Sequence, residues 1–257
     1  MQEPTQLEVR PDLVPRASCP GWLRAIPLAH RGLHAGPDLP ENSLAAFAAA
    51  AATGYGVELD VMLSRDRVPV VCHDLTLERV TGQALAVQDL TVAELAGLRL
   101  GTSDEHIPTL AAALAELTAV PVMVELKQPR LRVGTLEAAV ATLLDRHPGP
   151  WCVASFNPGS LRWYRRRRPD AVRVLTAGGI EDAPLPAALK RRLSELRDVA
   201  DVAPHAISYA LADLPVEAAS LWRARGGTLL TWTVTDEQGL ARSREMADNV
   251  IFEHVRP

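Results

Sequence analysis

The chain has 257 residues, 47% of them hydrophobic and only 4% aromatic, so aliphatic side chains must fill its core. The 27 basic and 31 acidic residues leave a formal charge of −4, which argues against general nucleic-acid binding and requires any anionic ligand to meet a local group of cations. Cys19, Cys72 and Cys152 are far apart and in no metal-ligand spacing, as suits a reducing compartment, and no run approaches about 18 apolar residues. A cytoplasmic protein without integral membrane contact is expected.

Residues 1–24 carry no apolar signal core and read as a loosely tied tail ahead of one domain over 25–257. Short β-rich apolar runs then alternate with Ala/Leu-rich stretches of helical period. The expected strands are Ala25–His30, Val57–Leu63, Val68–His73, Val120–Lys127, Trp151–Phe156, Ala171–Leu175, His205–Tyr209, Thr228–Val234 and Asn249–Phe252. Helical stretches lie between most of them, among them Ser43–Ala52, Thr135–Arg146, Pro158–Arg168, Leu185–Leu196 and Pro215–Arg225. Near-continuous apolar strands imply burial on both faces, and β-α alternation implies a parallel sheet. About eight such units in this length point to a (β/α)8 TIM barrel more than to an open sheet, and no Gly-rich phosphate loop follows the first strand. Residues 75–107 form the longest connection and read as a small excursion above the barrel.

One junction breaks the regular pattern. Only Ser64–Arg67 separate the second and third runs, too few for a parallel crossover, so these two strands must form an antiparallel hairpin and the barrel is irregular. With Asp66-Arg67 as the two turn residues, Leu63 faces Val70 and Asp60 faces His73, while Glu58 shares the face of Asp60 by the period of two. A tight primed turn prefers glycine where Arg67 stands.

The strand ends carry chemistry. His30 and Arg31 close "LAHRG", Glu125 and Lys127 close "VMVELK", Ser155 and Phe156 close the fifth strand and Trp232 lies in the eighth. In a barrel these ends converge with Glu58, Asp60 and His73 on the face where such folds place their sites. Three carboxylates without a soft ligand make a hard oxygen site suited to Mg²⁺ or Ca²⁺. Two imidazoles can serve as general acid and base, and Arg31 and Lys127 can meet an anion. This set suggests phosphate-ester cleavage, where developing negative charge must be neutralised. The bland alternative for Glu58 and Asp60, a solvent-facing strand edge, does not account for His73 opposite and "VELK" later. His106, His147 and His205 have no matching partners and read as structural.

In order and spacing, "AHRG", "PENSLAAFAAA", "VELDV", "VPVVCHD", "IPTL", "VELK", "SF" and "WTV" resemble the glycerophosphodiester phosphodiesterase family, from about Ile26 to Val234. The resemblance implies an irregular phospholipase-C-like barrel, one divalent cation, and hydrolysis of small-molecule glycerophosphodiesters to glycerol 3-phosphate and an alcohol. It implies His30 and His73 as the catalytic pair, Glu58, Asp60 and Glu125 as metal ligands, and Arg31 and Lys127 as phosphate contacts. It further implies Glu41 and Asn42 as a supporting pair before the first helix, and Phe156 and Trp232 as pocket walls. Two features depart from the family pattern. Arg67 replaces a usual glycine, and "NVIFEHVRP" puts Phe252-Glu253 where Thr-Asp is usual. Two other activities fit the same fold: a lysophospholipase D or sphingomyelinase D-like enzyme, and a silent barrel that binds glycerol phosphates.

Overall fold

In a computed structural model, which describes residues 10–127, 133–181 and 186–257, the alternating pattern becomes a closed parallel barrel. Its strands are β1 (Leu28–His30), β2 (Gly56–Leu63), β4 (Val122–Leu126), β5 (Trp151–Ser155), β6 (Arg173–Ala177), β7 (Ala206–Ala210), β8 (Thr228–Val234) and β9 (Asn249–Phe252). Each pairs in parallel with the next, and β1 closes the ring by pairing with both β2 and β9. The remaining strand, β3 (Pro69–Val71), lies antiparallel on the upper end of β2. The expected TIM barrel with an antiparallel hairpin at the second and third strands is therefore the observed architecture.

Strand alternation sorts the side chains into two packing layers. Leu28, Met123, Cys152, Ala154, Val174, Ala206, Leu230 and Ile251 form one buried cluster that fills the barrel interior. The alternate residues, such as Val57, Leu59, Val124, Val153 and Ile207, pack outward against helix residues including Phe47, Val140, Leu161 and Trp222. The helix Leu44–Thr53 illustrates how one such layer is held. Ser43 caps it by accepting from the Ala46 N–H at 3.1 Å, Gly54 ends it at φ 80°, and Phe47 is fully buried. Phe47→Ala would cost about 3–5 kcal/mol through the cavity it leaves.

The amino-terminal segment read as a tail is packed in its described part. Leu13 and Leu23 are fully buried, and Leu23, on a short helix Gly21–Ala25, joins the interior cluster. Residues 1–9 of that segment lie outside the described residues, as does Leu185 at the start of an expected helix that runs over Ala187–Ser194. The excursion at 75–107 builds its own small core, in which Leu77, Val87, Leu95, Leu100 and Ile107 pack on Met62, Val70 and Cys72.

The hairpin turn differs from expectation. It has three residues, Arg65, Asp66 and Arg67, closed by Arg67 N–H donating to Ser64 O and Ser64 N–H to Val68 O, both at 3.0 Å. Arg67 sits in the left-handed region at φ 63°, the geometry of a type I turn followed by a bulge residue that usually is glycine. The extra residue shifts the ladder by one: Met62, not Leu63, pairs with Val70, and the Cys72 N–H donates to Asp60 O at 3.0 Å. Asp60 thus faces Cys72 and not His73. β3 ends at Val71, and a bend from His73 onward releases that side chain from strand alternation.

Candidate active site

The carboxyl ends of the strands open onto a cavity of about 400 Å³ lined by His30, Arg31, Glu58, His73, Glu125, Lys127, Phe156 and Trp232, with Met123, Thr176, Ser208, Gly179 and Ile251. The shifted register does not keep His73 out of this cavity, because the bend after β3 turns it inward. Of the residues singled out in the sequence, Asp60, Glu41 and Asn42 do not line the cavity wall. They stand behind it and bind residues that do.

β2 and β4 bring the acidic group together. Registration places Asp60 beside Glu125, and inward alternation puts Glu58 on the same face as Asp60. Oxygen atoms of Glu58, Asp60 and Glu125 all lie within 4.8 Å of one another, and the three residues are buried. Burial, together with repulsion from Asp60 and Glu125, pushes the Glu58 carboxyl well above the ordinary carboxylate range. Burial also disfavours the charged form of Asp60, but Lys127 and Arg31 outweigh it and hold that carboxyl low. Glu58 Oε1 is buried without a hydrogen-bond partner among the described residues. An all-oxygen, crowded, under-satisfied carboxylate group fits a hard divalent cation.

Two cations border this group. Lys127 Nζ lies 2.6 Å from Glu125 Oε1 and 3.2 Å from Asp60 Oδ1; burial works against its charge, yet the carboxylates keep its pKa above the ordinary lysine value. Arg31 Nε is 3.4 Å from Asp60 Oδ2, and its Nη1 donates to Glu41 Oε1 at 2.8 Å. Arg31 reaches this place because it is left-handed at φ 58°, which turns the chain sharply off β1. Its backbone N–H donates to Glu58 O at 2.8 Å. The next residue must be glycine: at Gly32, φ 82°, a Cβ would stand 2.9 Å from the Ala46 backbone. The motif "HRG" is thus a turn that aims a guanidinium into the barrel. Asn42, itself at φ 56°, steadies Asp60 by donating Nδ2–H to Oδ2 at 3.1 Å.

Each histidine is backed by a carboxylate. His73 Nδ1 lies 2.6 Å from Asp74 Oδ1 and His30 Nδ1 lies 2.5 Å from Glu253 Oε1. A carboxylate can only accept, so Nδ1 donates in both rings and Nε2 is left for the cavity. Burial lowers the His73 pKa, against the pull of Asp60. Burial also raises the Glu253 carboxyl, but the hydrogen bond from His30 and the nearby His34 ring outweigh it and hold it below the ordinary range. His34, left without a role in the sequence, places Nε2 3.6 Å from Glu253 Oε1.

Asp74 belongs to a second network that the sequence did not signal. Arg79 donates Nε–H to Asp74 Oδ2 at 2.6 Å, and two further N–H groups to the Glu41 carboxylate, each at 2.7 Å. One guanidinium from the excursion therefore ties the partner of His73 to the partner of Arg31. On the far side, Phe156 and Trp232 meet edge to face at 5.5 Å, and Lys127 Nζ lies 5.7 Å from the Phe156 ring centre. Gly179, φ 65°, makes room for the Trp232 indole, since a Cβ there would lie 2.7 Å from the ring.

The profile of the glycerophosphoryl diester phosphodiesterase family matches residues 30–255. Glycerophosphodiester phosphodiesterase 1 of Homo sapiens is 41% identical over 98 residues, which is 35% of this chain and 29% of that protein. A glycerophosphodiester phosphodiesterase of Caldanaerobacter subterraneus is 40% identical over 95 residues, 34% of this chain and 38% of that protein. The chain thus aligns with less than half the length of either relative. A phosphodiesterase of Oleispira antarctica, solved in complex with the product sn-glycerol-3-phosphate, has a TM-score of 0.72 at 28% identity, covering 88% of this chain and 91% of that one. The profile runs from His30 at the end of β1 to Val255 beyond β9, most of the barrel, and on that match this chain belongs to the glycerophosphoryl diester phosphodiesterase family.

Proposed function

We propose that the protein hydrolyses glycerophosphodiesters to glycerol 3-phosphate and an alcohol by His/His acid-base catalysis at a divalent cation. The observation that carries this reading is the meeting of a buried carboxylate group, two cations and two carboxylate-backed imidazoles in one cavity. Likeness to a phosphodiesterase that binds sn-glycerol-3-phosphate supports the substrate class.

Glu58, Asp60 and Glu125 would hold the cation, Mg²⁺ or Ca²⁺, which would supply positive charge against the negative charge developing on the phosphate. Arg31 presents a planar fork and Lys127 a point charge to the same phosphate. The Nε2 atoms of His30 and His73 take the two proton transfers. One accepts a proton from the attacking hydroxyl, either water or the neighbouring glycerol hydroxyl, and the other donates to the departing alcohol. Glu253 and Asp74 hold these rings in the tautomer that leaves Nε2 facing the substrate. Phe156 and Trp232 offer apolar faces to the carbon skeleton. The intact set of acids, bases and cations speaks against a silent binding barrel.

The test is the release of glycerol 3-phosphate from glycerophosphocholine, glycerophosphoethanolamine and glycerophosphoinositol by the wild type, His30→Ala and His73→Ala. Each substitution is expected to abolish release, by at least about 100-fold, while the fold survives. Full activity in either variant would remove that histidine from the pair.

A further inference from the structure

The cavity contains two hydroxyl groups that the reaction described so far does not use. Thr176 on β6 and Ser208 on β7 are registered partners in the parallel ladder, so they point to the same side. One step below them on the same strands, Val174 and Ala206 belong to the apolar interior cluster. Thr176 and Ser208 therefore form the polar floor of the cavity, directly above the barrel's apolar filling. Both line the cavity, both are buried at 4% and 1% exposure, and neither hydroxyl has a hydrogen-bond partner among the described residues.

Among the described residues, Thr231 Oγ1 is also unpaired but lies outside the cavity, and several other buried hydroxyls are paired. Ser155 donates to Leu126 O at 3.0 Å, Ser243 to Leu240 O at 2.8 Å, and Ser160 to Glu137 at 2.5 Å. Buried hydroxyls are as a rule paired, and valine or alanine would fill the places of Thr176 and Ser208 without leaving a donor idle. Two adjacent idle hydroxyls facing a cavity point to a ligand that supplies their partners.

The strand order says which part of the ligand. Around the ring, β6 and β7 lie opposite β1 and β2, which carry His30 and the Glu58/Asp60 pair. A phosphate held by that group with Arg31 and Lys127 leaves the rest of the substrate between the floor hydroxyls and the Phe156/Trp232 wall. The fitting group has hydroxyls on one side and a C–H surface on the other. A glycerol unit has both, whereas a quaternary ammonium headgroup has no hydroxyl to offer.

We propose that Thr176 and Ser208 form a subsite that binds the hydroxyls of the glycerol unit and so fixes which side of the diester enters the barrel. This assignment rests on the proposed function. The test compares binding of glycerol 3-phosphate and methyl phosphate by calorimetry, with Mg²⁺ present, in the wild type, in Ser208→Ala and in the Thr176→Val/Ser208→Ala double variant. Each lost hydrogen bond is expected to weaken glycerol 3-phosphate about tenfold, so the double variant falls about 100-fold. Methyl phosphate affinity, which also reports on the fold, should stay within about threefold. Unchanged affinity for glycerol 3-phosphate, or equal weakening of both ligands, would overturn the subsite. A wild type that cleaves glycerophosphodiesters while the double variant binds glycerol 3-phosphate unchanged overturns the subsite alone. A wild type that shows the expected selective weakening on substitution but cleaves no diester supports the subsite and overturns the proposed function.

Discussion

The Nδ1 atom of His30, at the end of β1, lies 2.5 Å from Oε1 of Glu253, which follows the last strand of the barrel. Since β1 and β9 are hydrogen-bonded neighbours, the closure of the barrel is what brings the first histidine and the last carboxylate together. Under the proposed mechanism, Glu253 would fix the tautomer of His30 and, as an ionised carboxylate, favour the imidazolium of the proton-transfer step. Glu253→Ala should lower kcat about 10- to 100-fold with little change in KM, and Glu253→Gln, which keeps an acceptor, should fall between it and the wild type. Steady-state kinetics at one saturating metal concentration checks this. Wild-type kcat in the alanine variant would remove Glu253 from the mechanism.

Three carboxylates with atoms within 4.8 Å of one another repel, and a divalent cation relieves that repulsion. Adding Mg²⁺ or Ca²⁺ should therefore raise the melting temperature, by an amount equivalent to about 2.7 kcal/mol at a cation concentration 100 times Kd. Glu125→Gln should reduce the shift, and a chelator should abolish activity until the cation is restored. Identical melting curves with and without cation would contradict the metal assignment.

Arg67 occupies a left-handed position, φ 63°, that costs a non-glycine residue about 1–2 kcal/mol. Replacement by glycine removes this cost but adds chain entropy to the unfolded state of about 0.5–1 kcal/mol. The net expectation for Arg67→Gly is a gain of about 0.5–1 kcal/mol in urea denaturation, with kcat unaltered. A loss of stability would mean that the Arg67 side chain contributes more than the backbone strain.

His205 accepts the Arg173 backbone N–H at Nδ1, at 3.1 Å, and burial pushes its pKa down to about 4. Its folded pKa lies below the unfolded value of about 6.5, so between these two values the unfolded chain binds the extra proton. The contribution to stability is complete above about pH 6.5 and is lost as pH falls toward 4. Partial solvent screening reduces it to about 1–2 kcal/mol. Stability measured from pH 7 to 4 should fall less steeply in His205→Gln than in the wild type; parallel curves would contradict this assignment.

Much of this site was legible in the sequence because period-two alternation and strand ends are local properties. Glu58, Asp60 and Glu125 lie on two strands whose order and inward face follow from apolar patterning alone, with Lys127 directly after the second. The hairpin register was not legible. The spacing allowed a two- or three-residue turn, and the choice rests on Arg67 accepting a conformation that glycine normally supplies. The contact between Glu253 and His30 spans 223 positions and exists only once the barrel closes, although the unusual "IFEH" ending marked the place. Arg79 gave no signal, since its link from Asp74 to Glu41 depends on how the excursion folds over the mouth. Leu13 and Leu23 were hidden for the opposite reason: isolated apolar residues in a Pro-rich stretch have no period to reveal that they are buried.

The most direct test of the central claim is ³¹P NMR of glycerophosphocholine incubated with the folded protein and Mg²⁺ or Ca²⁺. The account predicts that the diester resonance is replaced by that of glycerol 3-phosphate, and that neither His73→Ala nor the chelated protein produces this change. A diester signal that persists with wild-type protein and cation, or choline phosphate as the product, would contradict it.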